Sequence, residues 1–186
     1  GCTYAGAFTQ NVVKAAPVLW DKAILEKGSK VHAIVVNSGN ANAATGDQGQ
    51  KDTEEMAALT AKAFGVDKET VIVSSTGVIG VNLPMDVVTK GIDMTAKKVG
   101  DTFEDGNNAA EAILTTDLVL KTIAVEEEIG GVSVTIGGMG KGSGMIHPNM
   151  ATMLAFVTTD VNITQPMLQK ALKMAIDTTF NMITVD

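Results

Sequence analysis

Short apolar runs of strand length alternate along this chain with stretches of helical periodicity, and interleaved elements of this kind require an α/β or mixed α+β architecture. Val31 to Val36 (VHAIVV) reads as a buried strand running into a loop of small turn formers, Asn37-Ser38-Gly39-Asn40-Ala41-Asn42. Between Asp52 and Phe64 the apolar positions Met56, Leu59, Ala63 and Phe64 have helical spacing, with Gly65 as the stop. Thr70 to Val73 predicts a strand, Ser74-Ser75-Thr76-Gly77 a polar turn, and Met85 to Val99 a helix entered through Pro84. A short helix is expected over Asn108 to Leu114. Leu118 to Val125 and Val132 to Ile136 flank Gly130-Gly131 as a hairpin, and Gly137 to Gly144 reads as a glycine-rich loop. Met153 to Thr158 predicts a last strand, and Gln165 to Phe180 a last helix with Thr164 or Asn162 as cap.

The 186 residues fit one domain or most of one, and no repeat or linker divides them. A net charge of −7 argues against a nucleic-acid or anionic-membrane surface. All 14 basic residues are lysine, so an anionic substrate must be held by lysine, hydroxyls and backbone N–H groups rather than by a guanidinium fork. A lone Cys2 suits a reducing compartment, and a cytoplasmic location is expected. The longest apolar run, Met150 to Val157, falls short of the ~18 residues of a membrane span, and no signal peptide is read at the start. No HExxH, CxxC or paired-carboxylate spacing suggests a metal. The chain opens without methionine and stops in strand-like Ile183-Thr184-Val185-Asp186, so it reads as a piece of a longer protein.

Chemistry concentrates between Gly137 and Asp160 (GGMGKGSGMIHPNMATMLAFVTTD). A phosphate-binding P-loop is excluded, because Thr135 stands where its first glycine belongs and Gly142 follows Lys141 where a hydroxyl residue belongs. What remains is an approach loop through Pro148 to Ala151-Thr152 at the mouth of an apolar strand. Self-cleavage there needs the Thr152 hydroxyl to reach the Ala151 carbonyl, which the small alanine side chain leaves open. The freed α-amine, with a reference pKa of ~7.7–8.0, then serves as base to its own hydroxyl. The competing reading makes Thr152 a plain strand-edge hydroxyl. His147 is read as a structural hydrogen bonder and His32 as a satisfied buried or edge imidazole.

HPNMATMLAFVTTD with KGSGMIHP before it, SSTGVIG at Ser74–Gly80, VVNSGNANAATG at Val35–Gly46, AAPVLW at Ala15–Trp20 and the terminal FNMITVD together resemble the bifunctional ornithine acetyltransferase family of arginine biosynthesis, the glutamate N-acetyltransferases or ArgJ family. The resemblance runs across essentially the whole chain. It implies the layered α/β sandwich of self-cleaving N-terminal-nucleophile enzymes, with residues 1–151 part of an α chain and 152–186 the start of a β chain. It further implies cleavage between Ala151 and Thr152, and transfer of acetyl from N-acetylornithine to glutamate through an acetyl ester on Thr152. The family's oxyanion pair falls on Thr76 and Gly77, and its substrate contacts on Thr115, Lys141 and Thr152.

No cofactor or metal is implied, with acetyl-CoA left open as an alternative donor. The implied partners are the remainder of the precursor and a second copy, in a heterotetramer of two α and two β chains. Family chains are about twice as long, and a glutamate that completes the pocket lies outside this sequence. The piece alone is therefore expected to turn over poorly. Without the resemblance, Lys141 reads as a solvated surface lysine, Thr115 as a helix-end hydroxyl and Thr76-Gly77 as an ordinary turn. Two rival functions stay open: a related self-cleaving aminopeptidase or amidase, and a catalytically inert fragment.

Overall fold

A computed structural model describes residues 1–147, 149 and 151–185. Pro148 of the approach loop, Met150 at the head of the apolar run, and the terminal Asp186 lie outside the described residues.

The chain builds α1 (Ala16–Lys27), β1 (Ala33–Asn40), α2 (Gly46–Phe64), β2 (Val71–Val78), α3 (Met85–Ala96), α4 (Phe103–Ala112), β3 (Lys121–Ile129), β4 (Val132–Lys141), β5 (Leu154–Thr159) and α5 (Gln165–Asp177). Strands β1 and β2 pair in parallel, and β3–β4–β5 form an antiparallel sheet in that order. The mixed α/β class is as expected. Helix α2 ends where Gly65 takes a left-handed conformation and its N–H reaches the Ala61 carbonyl. Helix α4 begins earlier than its apolar residues suggest, because Thr102 and Asp105 form a reciprocal capping box. Helix α1 has weak amphipathic spacing and escapes a periodicity reading; Pro17 in its first turn and left-handed Gly28 at its end mark it instead.

Both faces of β2 are covered. Val71 and Val73 pack with Met56, Ala57 and Ala61 of α2 and Ile92 of α3, while Ile72 packs with Ile24 of α1 and Val31. Burial of both faces is the usual condition of parallel strands. The edge of β2 is closed by side chains of α1: the Trp20 Nε1–H donates to the Val71 carbonyl, and Asp21 accepts the Val73 N–H at 2.9 Å.

Burial pushes the Asp21 carboxyl up to about 7, against the lowering effect of that N–H bond. A carboxyl raised on folding binds its proton more tightly in the native state, so its contribution is full below ~3.9 and is lost as pH rises towards 7. Asp21→Asn is therefore expected to flatten the fall in stability between about pH 4 and pH 7, an effect on the order of a few kcal/mol measurable by urea unfolding across that range. Equal pH slopes in native and variant protein would refute it.

Three expected loops are strand in whole or in their first part. Asn37-Ser38-Gly39-Asn40 completes β1 and Ser74-Ser75-Thr76-Gly77 completes β2, since each supplies the other's ladder partner: Asn37 with Ser75, Ser38 with Thr76, Gly39 with Gly77. Gly137 to Lys141 continues β4 between two neighbours, with Gly138 opposite both Ile123 and Val157. Strand choice there is set by pairing rather than by residue preference. His32 is exposed just before β1, not buried. The last helix stops at Asp177, and a 3₁₀ turn covers Phe180–Met182.

Candidate active site

The carboxyl ends of the parallel strands open onto a cleft of about 540 Å³, lined by Ser38, Gly39, Gly77, Val78 and the Leu114–Thr116 segment. Ligands in open parallel sheets gather at that end of the strands. Ser38 fixes the approach of α4 by donating its hydroxyl to the Ala112 carbonyl at 2.7 Å. Gly77 has φ +132°, and a β-carbon there would fall 2.2 Å from the Gly39 carbonyl oxygen, so only glycine lets the strand ends come this close.

Lys141, at the end of β4, comes from the other sheet to meet Thr115 of this lining. It is 5% exposed, which rules out a solvated lysine in a flexible loop. Its ammonium donates to Thr115 Oγ1 at 2.8 Å and to Thr76 Oγ1 at 3.2 Å, so three residues that are far apart in sequence meet at one nitrogen. The Thr115 hydroxyl is thereby committed to the site and not to its own backbone.

Asp117 stands behind them, two residues past Thr115, and nothing in its local sequence marks it for the site. Its side chain has no exposed surface. It accepts the Gly142 N–H at 2.7 Å and the Lys121 ammonium at 2.5 Å, and one oxygen lies 4.0 Å from Lys141 Nζ. Burial opposes its ionisation, but Lys121, the Gly142 N–H and the Lys141 charge outweigh burial and hold the carboxyl below the usual carboxylate range.

Thr152 sits in the connection that leaves β4 at Lys141 and returns as β5 at Leu154. It is exposed and has φ +65°, a left-handed conformation that a β-branched residue rarely takes, costing roughly 1–3 kcal/mol. Gly142 packs against it: a β-carbon at Gly142 would lie 3.4 Å from the Thr152 carbonyl oxygen and 3.0 Å from Met153 Cβ. The connection is pinned midway by paired backbone bonds between Ile146 and Val185, and His147 Nδ1 lies 3.3 Å from Thr184 Oγ1. His147 thus has the structural bond expected of it. Asn42 does not face the cleft. It is fully buried and bonds the Gly49 carbonyl and Thr53, a structural role within α2's first turns.

A second cavity of about 480 Å³, between Tyr4, Gly28, Lys30, Asn162 and Gln165, shares no residue with this cleft. Among the described residues, no group of three or more His, Cys, Asp or Glu side chains gathers to hold a metal, and no helix is long and apolar enough to cross a membrane.

The sequence model of the ArgJ family matches residues 1–186. The chain belongs to the ArgJ family. Among curated ArgJ proteins, the arginine biosynthesis bifunctional protein of Symbiobacterium thermophilum is 56% identical over 185 residues, all of this chain and 45% of that protein. The protein of the same name from Thermotoga neapolitana is 52% identical over 186 residues, all of this chain and 46% of that protein. The chain therefore spans about half the length of the curated ArgJ relatives it matches. Two solved ArgJ-type structures share the fold. The Bacillus halodurans ArgJ crystal structure has a TM-score of 0.74 at 44% identity over 81% of this chain and 78% of that one. The Mycobacterium tuberculosis ornithine acetyltransferase, solved in complex with ornithine, has a TM-score of 0.71 at 37% identity over 81% of this chain and 79% of that one.

Proposed function

We propose that this chain carries the cleavage junction and much of the acyl-transfer site of an arginine-biosynthesis acyltransferase that moves acetyl from N-acetylornithine to glutamate. The observation that carries the reading is the convergence of Thr76, Thr115 and buried Lys141 at one ammonium, with Thr152 packed on the next residue, Gly142.

In the first reaction the Thr152 hydroxyl oxygen attacks the Ala151 carbonyl carbon. The Ala151–Thr152 C–N bond breaks, an ester forms, and the hydroxyl proton ends on the released amine. Water then hydrolyses the ester, leaving a carboxylate on Ala151 and a free α-amine on Thr152. The left-handed backbone at Thr152 favours the step, because cutting the bond relaxes it.

In the second reaction that amine takes the Thr152 hydroxyl proton as the oxygen attacks the acetyl carbonyl of N-acetylornithine. Ornithine leaves as the amine, and acetyl stays on Thr152 until the glutamate amine takes it. The Thr76 hydroxyl and the Gly77 N–H are suited to hold the oxyanion of each tetrahedral intermediate, donors worth ~2.7–4 kcal/mol apiece. Lys141 and Thr115 are suited to a substrate carboxylate. No cofactor is needed for these steps; acetyl-CoA remains a candidate second donor.

The reading divides the chain at 151/152 into the end of an α chain and the start of a β chain, in a cytoplasmic heterotetramer of two of each. The full-length protein is expected to release ornithine from N-acetylornithine and to form N-acetylglutamate only when glutamate is added. Acetate release at a rate indifferent to glutamate would assign it to the hydrolases instead.

A further inference from the structure

We infer that Asp117 is a positioning residue for both proposed reactions, aligning the cleavage junction through the Gly142 amide and the substrate lysine through its charge. The inference rests on reading Thr152 as nucleophile and Lys141 as substrate contact.

Two adjoining segments, Thr115–Asp117 and Lys141–Ser143, meet residue against residue. Thr115 bonds the Lys141 ammonium, Asp117 bonds the Gly142 amide, and Thr116 and Ser143 bring their hydroxyls to 2.7 Å. Asp117 is the centre of this clasp. One of its oxygens takes both the Gly142 N–H and the Lys121 ammonium. The other is buried without a hydrogen-bond partner and lies 4.0 Å from the Lys141 nitrogen. An unpaired buried carboxylate oxygen is costly, and the Lys141 charge adds to Lys121 and the Gly142 N–H in offsetting it. The lysine is thereby held from three sides, by Thr76, Thr115 and Asp117.

The electrostatic consequence concerns substrate. Lys121 and Lys141 bring two ammoniums to a single carboxylate, which leaves one net positive charge beside the cleft for an anionic substrate group. The geometric consequence concerns cleavage. A β-carbon built on Gly142 would lie 3.4 Å from the Thr152 carbonyl oxygen, one peptide beyond the bond to be cut, so the amide that Asp117 grips lies beside the junction and helps to set its place. A displacement of about 1 Å in such a site costs roughly a hundredfold in rate.

The two contacts separate by substitution in the full-length enzyme. Asp117→Asn keeps an acceptor for the Gly142 N–H and turns an uncharged NH2 towards Lys141. It is expected to cut itself within about threefold of the native rate while KM for N-acetylornithine rises about tenfold or more, with kcat changing far less. Asp117→Ala removes both contacts and is expected to slow cleavage by about tenfold or more as well. Hydrogen exchange at the Gly142 amide should quicken in the alanine variant and not in the asparagine variant. Native cleavage and native KM in Asp117→Ala would overturn the inference, as would equal cleavage defects in both variants. If Asp117→Ala does not fold, the split between KM and kcat in Asp117→Asn decides alone. A native enzyme that neither cuts itself nor accepts acetyl would instead sink the reading on which the inference rests.

Discussion

Thr152→Ala is expected to leave the chain uncut at 151–152 and unable to carry an acetyl group, with transfer reduced by at least about three orders of magnitude. Alanine keeps the backbone and removes the only oxygen that can attack the Ala151 carbonyl from within the residue. Without the cut there is no free amine at position 152, so the base for the second reaction is lost together with its nucleophile. The fold should survive. Thr152 is exposed with φ +65°, and exchanging a β-branched residue for alanine at a left-handed position eases strain rather than adding it. Intact mass after expression reads the cut, and mass after exposure to N-acetylornithine reads the acetyl adduct of 152. A variant that exchanges acetyl at the native rate would remove Thr152 from the mechanism.

The second large effect is on folding. Gly77→Ala places a β-carbon 2.2 Å from the Gly39 carbonyl oxygen and 2.3 Å from its carbon, both backbone atoms of the paired strand. Neither can move without spreading β1 from β2, and φ +132° is strained for alanine even without the collision. A loss of roughly 3 kcal/mol or more follows, read as a shift in the urea midpoint. Gly39→Ala is the internal comparison. It also has positive φ (+117°) but meets nothing within 4 Å, so only the conformational cost of roughly 1–2 kcal/mol applies. An alanine at 77 no more harmful than one at 39 would show that the strand ends are not in the close contact described. Since Gly77 neighbours Thr76 at the cleft, any surviving Gly77→Ala protein should also be slow in cleavage.

The alternation of apolar runs with helical periods determined the α/β class, because burial of β2 on both faces demands apolar residues at every position from Val71 to Val73, and burial of α2 on one face demands them at helical spacing. The motif around Ala151–Thr152, with SSTGVIG at Ser74–Gly80, determined the candidate junction and oxyanion pair, since a resemblance of long ordered motifs survives without knowledge of the fold. Tertiary structure decided the rest. Asn37–Asn40, Ser74–Gly77 and Gly137–Lys141 have turn-like composition, yet they are strands, as a neighbouring strand satisfies their N–H and C=O groups and residue preference yields to that pairing. Lys141 reads as a surface cation until β4 carries it beneath Thr76 and Thr115 and sets Asp117 behind it. Burial of a charge depends on partners 24, 26 and 65 residues away along the chain, and no local pattern encodes contacts made at such separations.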